Sequence, residues 1–196
     1  MYTIPNIITL ARIALVPVFI LIFFLPFHWS YFWAAAIFTL AGVTDWVDGY
    51  LARRLNQTSK LGAFLDPVAD KLMVSAALIL LVEMHASAWL AIPAIVIIGR
   101  EIAISALREW MAECGKRAQV AVSNIGKVKT VIQMIAIAIV LAVDPAFLAD
   151  DQGIVWRLIF WLGFLLLYIA MGLTLWSGWI YLKAAWPNLI EVESKN

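Results

Sequence analysis

Residues 13–44 contain no Lys, Arg, Asp or Glu. A water-soluble domain cannot keep so long a run away from solvent, so a bilayer is the natural medium for it. In lipid every backbone polar group must be satisfied by protein, which leaves helices or a closed barrel. A barrel needs short segments of alternating polarity, and "FWAAAIFTLAGV" shows no alternation. One span takes about 20 apolar residues; the run is too long for one, and Pro26 in "PFHWS" divides it. Apolar residues make up 64% of the 196, against about half in soluble proteins. Six apolar segments follow, at residues 5–25, 31–53, 62–83, 88–112, 124–143 and 155–183. The expectation is an all-α integral membrane protein with six transmembrane helices, forming a single transmembrane domain over residues 1–196. The start "MYTIPNIITLARIALVPVF" lacks a basic leader and a small-residue cleavage site, so the first segment is expected to be retained. No internal repeat is evident, and no stretch is polar enough for a second, soluble domain.

Charge distribution sets the orientation. With the N-terminus inside, all of the 14 Lys and Arg except Arg157 fall at inner ends, so both termini are expected to be cytoplasmic. The net charge of +1 gives no ground for a nucleic-acid partner. The single cysteine, Cys114, excludes a disulfide framework and a cysteine-based metal site. His28 and His85 fall in outer turns and read as interfacial residues. Trp29, Trp33, Trp89, Trp156 and Trp186 lie near segment ends, as an aromatic belt would. Gly163, Gly172 and Gly178 are candidates for close helix approach in the last segment.

Against this background "TDWVDGYLARRLNQTSKLGAFLDPVADK" is anomalous, because it sets four aspartates at the membrane boundary. A helix turns about 100° per residue, which places Asp45, Asp48, Gly49, Ala52 and Arg53 on one side of the second segment. Gly62, Asp66 and Asp70 are four apart and form a stripe on the third. The short linker "RLNQTSK" makes the two segments antiparallel neighbours, so two acidic faces meet. Carboxylates that close repel one another, and a divalent cation relieves the repulsion. Hard oxygen donors without Cys or His select Mg²⁺, Mn²⁺ or Ca²⁺ over zinc. Four ligands can hold two ions, as in two-metal phosphoryl transfer. Small residues beside the acids admit a flat group, and Arg53 can meet a phosphate, so the features together describe a nucleoside-diphosphate site. Pro67 is tolerable in a helix's first turn and otherwise kinks the third segment. The competing reading is a proton relay or a divalent-cation or proton-coupled transporter. A carrier has no evident need for Gly49, Ala52 and Arg53 at these intervals.

The run Asp45-x-x-Asp48-Gly49-x-x-Ala52-Arg53, eight residues, then Gly62-x-x-x-Asp66-x-x-x-Asp70 resembles the signature of the CDP-alcohol phosphatidyltransferase family, with every signature position filled. "NIITLARI", "GREIAISALREWMAECGKR" and "VAVSNIGKVKTVIQM" resemble its bacterial members that act on glycerol 3-phosphate. The likeness covers nearly the whole chain and is loosest at "DPAFLADDQG" and after Lys183. It implies a homodimeric enzyme of the bacterial cytoplasmic (inner) membrane, its active site facing the cytoplasm. That enzyme would move a phosphatidyl group from CDP-diacylglycerol to an alcohol and release CMP. It further implies that Asp45, Asp48 and Asp66 bind Mg²⁺ or Mn²⁺, in two ions, and that Asp70 is the general base with a share in the second metal. Gly49, Ala52, Arg53 and Gly62 match positions that cradle cytidine and diphosphate, and Asn6 and Thr9 fit the family's first helix near the nucleotide. For Asn6 and Thr9 a polar helix start is the competing explanation.

The acceptor is read from other residues. On the fourth segment Glu101, Ser105 and Arg108 project within about 60° of one another, with Arg100 one face over. Lys127 and Lys129 open the fifth, and Arg12 lies in the inner half of the first. This many cations suit an acceptor that carries its own phosphate; the alternative is that they are anchors snorkelling to lipid phosphates. Arg12, Arg100, Ser105, Arg108, Lys127 and Lys129 are therefore the candidate acceptor-phosphate residues. Glycerol 3-phosphate and inositol phosphate meet the same electrostatics. The family resemblance favours glycerol 3-phosphate.

Overall fold

The structure is a computed structural model and describes residues 4–55, 60–115, 124–149 and 153–193. These form α1 (Ile4–Phe24), α2 (Ser30–Leu55), α3 (Lys60–His85), α4 (Ala88–Glu113), α5 (Asn124–Ala142), α6 (Pro145–Ala149) and α7 (Ile154–Glu193), with no strand among the described residues. Each expected apolar segment lies on its own helix. The last one differs in extent, because α7 continues past residue 183 to Glu193. Its sequence offers no glycine or proline stop at 183, and Pro187 sits inside the helix. The short α6 falls between the fifth and sixth expected segments; the Asp144 carboxylate accepts from the Ala146 backbone N–H at 2.8 Å and starts it.

Three helices among the described residues are long and apolar enough to cross a membrane: Ile7–Phe24, Ala88–Glu113 and Ile154–Pro187. α5 adds a shorter apolar stretch, Val128–Ala142. The exterior is apolar: Ile79, Ile95, Leu165, Trp176 and Trp179 are all exposed. α7 in particular is apolar on every side, which suits a helix facing lipid on one side and protein on the other.

The interior packs α1 on α2 and α3, α5 on α2 and α7, and α4 on α3 and α7. Phe19 and Phe38 meet at 6.4 Å between ring centroids, and Leu78, Leu81, Ile97, Ile137, Leu141 and Leu167 complete the buried centre. Gly163 allows a close approach of α7 to α5. A Cβ there would lie 2.7 Å from Ile139 Cγ2 and 2.8 Å from Val140 Cγ2, so α7 is seated directly on α5. Gly178 faces the stem of Arg100, whereas Gly172 faces open space and is no packing glycine.

The described connections are short. Pro26 and Phe27 turn the chain between α1 and α2, with Ser30 N–H donating to the Phe27 carbonyl at 3.0 Å. Ala86 takes a positive φ of 44° to join α3 to α4, and Gly115, at φ 70°, ends α4 in the left-handed conformation that glycine adopts without steric cost. His28 packs on Phe147 and His85 on Phe160, both at the end of the bundle remote from the aspartates. Pro67 lies inside α3, beyond its first turn, so it removes one internal hydrogen bond beside the acidic stripe.

Candidate active site

The acidic stretch occupies the last turns of α2 and the first turns of α3. Asp45 is half-buried on α2 and forms an ion pair with Arg12 of α1, which is buried. The pair joins two helices through residues 33 positions apart. Thr9, one turn before Arg12, is fully buried, and Gly62 is buried on α3. The side chains of Asn6, Asp48, Ala52, Arg53, Asp66 and Lys127 lie outside the described residues, as do the surroundings of Gly49. Among the described residues no three of His, Cys, Asp and Glu gather as a metal site. The acidic side chains that are described, Asp45 and Asp70, offer carboxylate oxygen, the donor type of a hard divalent cation. Asp70 sits in the combined field of Asp45, Glu101, Arg12 and Lys129, which ties the acidic motif to the next group of residues.

That group surrounds a cavity of about 210 Å³. α3 contributes Pro67, Asp70 and Lys71; α4 contributes Arg100, Glu101, Ile104, Ser105 and Arg108; α5 contributes Gly126, Lys129 and Thr130; α7 contributes Tyr181. The α4 residues recur at one-turn intervals, so a single face of that helix forms one wall. Among the described residues four cations, Lys71, Arg100, Arg108 and Lys129, oppose two carboxylates, Asp70 and Glu101, for a formal balance of +2. Arg100, Ser105, Arg108 and Lys129, singled out from the sequence, thus meet around one space. Arg12 does not line it. It pairs with Asp45, because α1 packs against α2 and α3.

Arg100, Lys129 and Lys71 are held by defined partners. Arg100 donates from Nη2 to Ser177 Oγ at 2.8 Å and from Nη1 to Glu101 Oε1 at 3.3 Å, and its guanidinium lies 5.5 Å from the centroid of the Tyr181 ring. Its Nε is buried and meets no hydrogen-bond partner. Lys129, nearly fully buried, forms an ion pair with Glu101, so Glu101 is shared by two cations. Lys71 donates to Ser105. A smaller recess of about 50 Å³ opens from the same residues and runs inward between Val74, Ser75, Ile97, Ile98 and Gln133.

Several of these participants escape sequence reasoning. Lys71 looks like one more inner-end anchor. Tyr181 and Ser177 lie on a helix with no polar periodicity. Gln133 is one polar residue in an apolar run. A signal was available for it: Gly126, Lys129, Thr130 and Gln133 share one face of α5.

The CDP-alcohol phosphatidyltransferase family profile matches residues 2–177, from α1 into α7. The chain belongs to the CDP-alcohol phosphatidyltransferase family. It is 55% identical over 189 residues to a CDP-diacylglycerol–glycerol-3-phosphate 3-phosphatidyltransferase of Pseudomonas fluorescens, covering 95% of this chain and 91% of that one. It is 51% identical over 193 residues to the enzyme of the same name from Escherichia coli K12, covering 97% and 98%. In this phosphatidyltransferase the signature motif and the cationic cavity meet at Asp70. Tyr181 lies past the end of the family match and still reaches the cavity wall.

Proposed function

We propose that this protein transfers the phosphatidyl group of CDP-diacylglycerol to glycerol 3-phosphate, giving phosphatidylglycerophosphate and CMP. The observation that carries the reading is the cavity at Asp70, whose described lining has a formal charge of +2 that complements a phosphate monoester dianion. The 51–55% identity to enzymes named for this reaction supports it. A cationic cavity is a poor conduit for a metal ion or a proton, which disfavours transport.

In this reading the six long helices span the bacterial inner membrane, with both termini and the active site on the cytoplasmic side. The inner-end bias of Lys and Arg supports that orientation. The protein acts as a homodimer. The lipid donor enters sideways from the inner leaflet, and the polar acceptor enters from the cytosol. Asp45, Asp48, Asp66 and Asp70 hold Mg²⁺ or Mn²⁺, in two ions, whose contribution when bound is to neutralise the diphosphate and the departing CMP. Gly49, Ala52, Arg53 and Gly62, with Asn6 and Thr9, cradle the cytidine diphosphate. Arg12 orients the Asp45 carboxylate. Arg100, Arg108 and Lys129, with Ser105 and Lys127, bind the acceptor phosphate; Lys71 joins them. Asp70 takes the proton from the acceptor hydroxyl. The oxygen attacks the phosphatidyl phosphorus, the bond from that phosphorus to the CMP oxygen breaks, and CMP leaves.

The test is an acceptor panel. Purified protein with CDP-diacylglycerol and Mg²⁺ is offered glycerol 3-phosphate, inositol phosphate, serine or phosphatidylglycerol. CMP release with glycerol 3-phosphate is expected. Release with another acceptor in its place reassigns the substrate.

A further inference from the structure

The inner recess raises a question that the phosphate does not answer. Gln133 is 3% exposed, and its Oε1 is buried without a hydrogen-bond partner. A buried amide oxygen left unpaired keeps its full desolvation penalty, so a donor is owed to it. The recess that Gln133 lines holds about 50 Å³, enough to admit a hydroxyl. Asp70, Lys71, Glu101, Lys129 and Thr130 line both this recess and the larger cavity, so the two are continuous at the attacking-group end of the site.

The geometry points to Gln133 as a specificity-determining residue that binds the acceptor's non-reacting hydroxyl, the one on the carbon between the phosphate-bearing and the attacking carbons. This rests on the glycerol 3-phosphate reading above. Lys129 and Gln133 are four residues apart on α5, hence on one face and about 6 Å apart along the axis. Phosphate held at Lys129 and Arg100, and an attacking hydroxyl at Asp70, leave the middle carbon facing the recess. A hydroxyl both donates and accepts, so it satisfies either end of the Gln133 amide. An acceptor without that hydroxyl leaves the amide unpaired, and a site built for a hydroxyl penalises such an analogue heavily.

The test compares glycerol 3-phosphate with 3-hydroxypropyl phosphate, which keeps the phosphate and the primary hydroxyl and lacks the middle one. Full-length protein is assayed with CDP-diacylglycerol and Mg²⁺, and the ratio of kcat/KM for the two acceptors is taken within each variant. The wild type is expected to prefer glycerol 3-phosphate by about 10-fold or more. Gln133→Met, close in shape and unable to make the bond, is expected to bring the ratio near one by lowering the rate with glycerol 3-phosphate alone. Gln133→Leu serves as a second variant. Because the ratio is internal to each protein, a lower yield of folded protein does not alter it. Equal use of both acceptors by the wild type overturns the inference without any variant. An unchanged preference in both variants also overturns it and assigns the recess to water. In either case turnover of glycerol 3-phosphate by the wild type leaves the main reaction standing; its absence removes that reading instead.

Discussion

Arg100→Lys preserves charge and removes shape, which makes it the sharpest probe of the acceptor pocket. The guanidinium is fixed by Ser177 at 2.8 Å, by Glu101 at 3.3 Å and by the Tyr181 ring at 5.5 Å, and its Nε is buried without a partner. The site therefore holds a planar fork with an already desolvated donor. A lysine there is a point charge that cannot satisfy Ser177 and a phosphate oxygen with fixed, diverging donors. Losing one charge-assisted hydrogen bond to the acceptor costs about 1.5–3 kcal/mol. At about 1.4 kcal/mol per tenfold, kcat/KM for glycerol 3-phosphate should fall about 10- to 150-fold. The fall should appear mainly as a raised KM for glycerol 3-phosphate, with the KM for CDP-diacylglycerol unchanged. Steady-state kinetics with each substrate varied in turn measures both. A selective rise in the KM for the lipid donor would refute the placement of Arg100, and so would wild-type kinetics.

Other perturbations read other parts of the molecule. Asp70→Asn should abolish transfer yet leave CDP-diacylglycerol binding largely intact; wild-type turnover in this variant removes Asp70 from the role of base. Asp45→Asn should weaken metal-dependent donor binding as well, which isothermal titration with and without Mg²⁺ separates from a purely structural defect. Chelation should stop the reaction and added Mg²⁺ or Mn²⁺ restore it, whereas full activity under chelation contradicts the carboxylate site. Gly163→Ala forces a Cβ to within 2.7 Å of Ile139 and 2.8 Å of Val140, both β-branched and stiff, so it should destabilise the bundle by about 1–3 kcal/mol. Gly172→Ala meets nothing within 4 Å and should be neutral or stabilising by up to about 1 kcal/mol. Thermal unfolding in detergent ranks the two, and the reverse order is inconsistent with the α5–α7 contact.

Sequence alone located the helices because uncharged runs of span length have few alternatives. The break at Pro26 falls where turn chemistry predicts. The meeting of Glu101, Ser105 and Arg108 at one cavity wall was legible from helical periodicity, whereas Arg100, one face over by that reading, joins them at the same cavity. What was not legible depends on contacts between helices. The partnership of Arg12 and Asp45 requires knowing that α1 lies against α2. Tyr181 and Ser177 become informative only once α7 is seen against Arg100, since an all-round apolar helix gives no periodic hint of its inner face. Lys71 has the charge and position of an ordinary membrane anchor, and its bond to Ser105 and its place in the cavity wall separate it from one. Gln133 is marked by its burial and its unpaired oxygen, neither of which a sequence displays.

The central claim is phosphatidyl transfer to a phosphorylated alcohol at Asp70 and the cationic cavity. Its most direct measurement is the stoichiometry of one reaction: purified protein, CDP-diacylglycerol, Mg²⁺ and radiolabelled glycerol 3-phosphate, with CMP and labelled lipid quantified together. One CMP for each labelled lipid formed, both lost with Asp70→Asn, is the predicted result. CMP released without label entering lipid, or neither product appearing while a control enzyme works in the same mixture, would contradict the account.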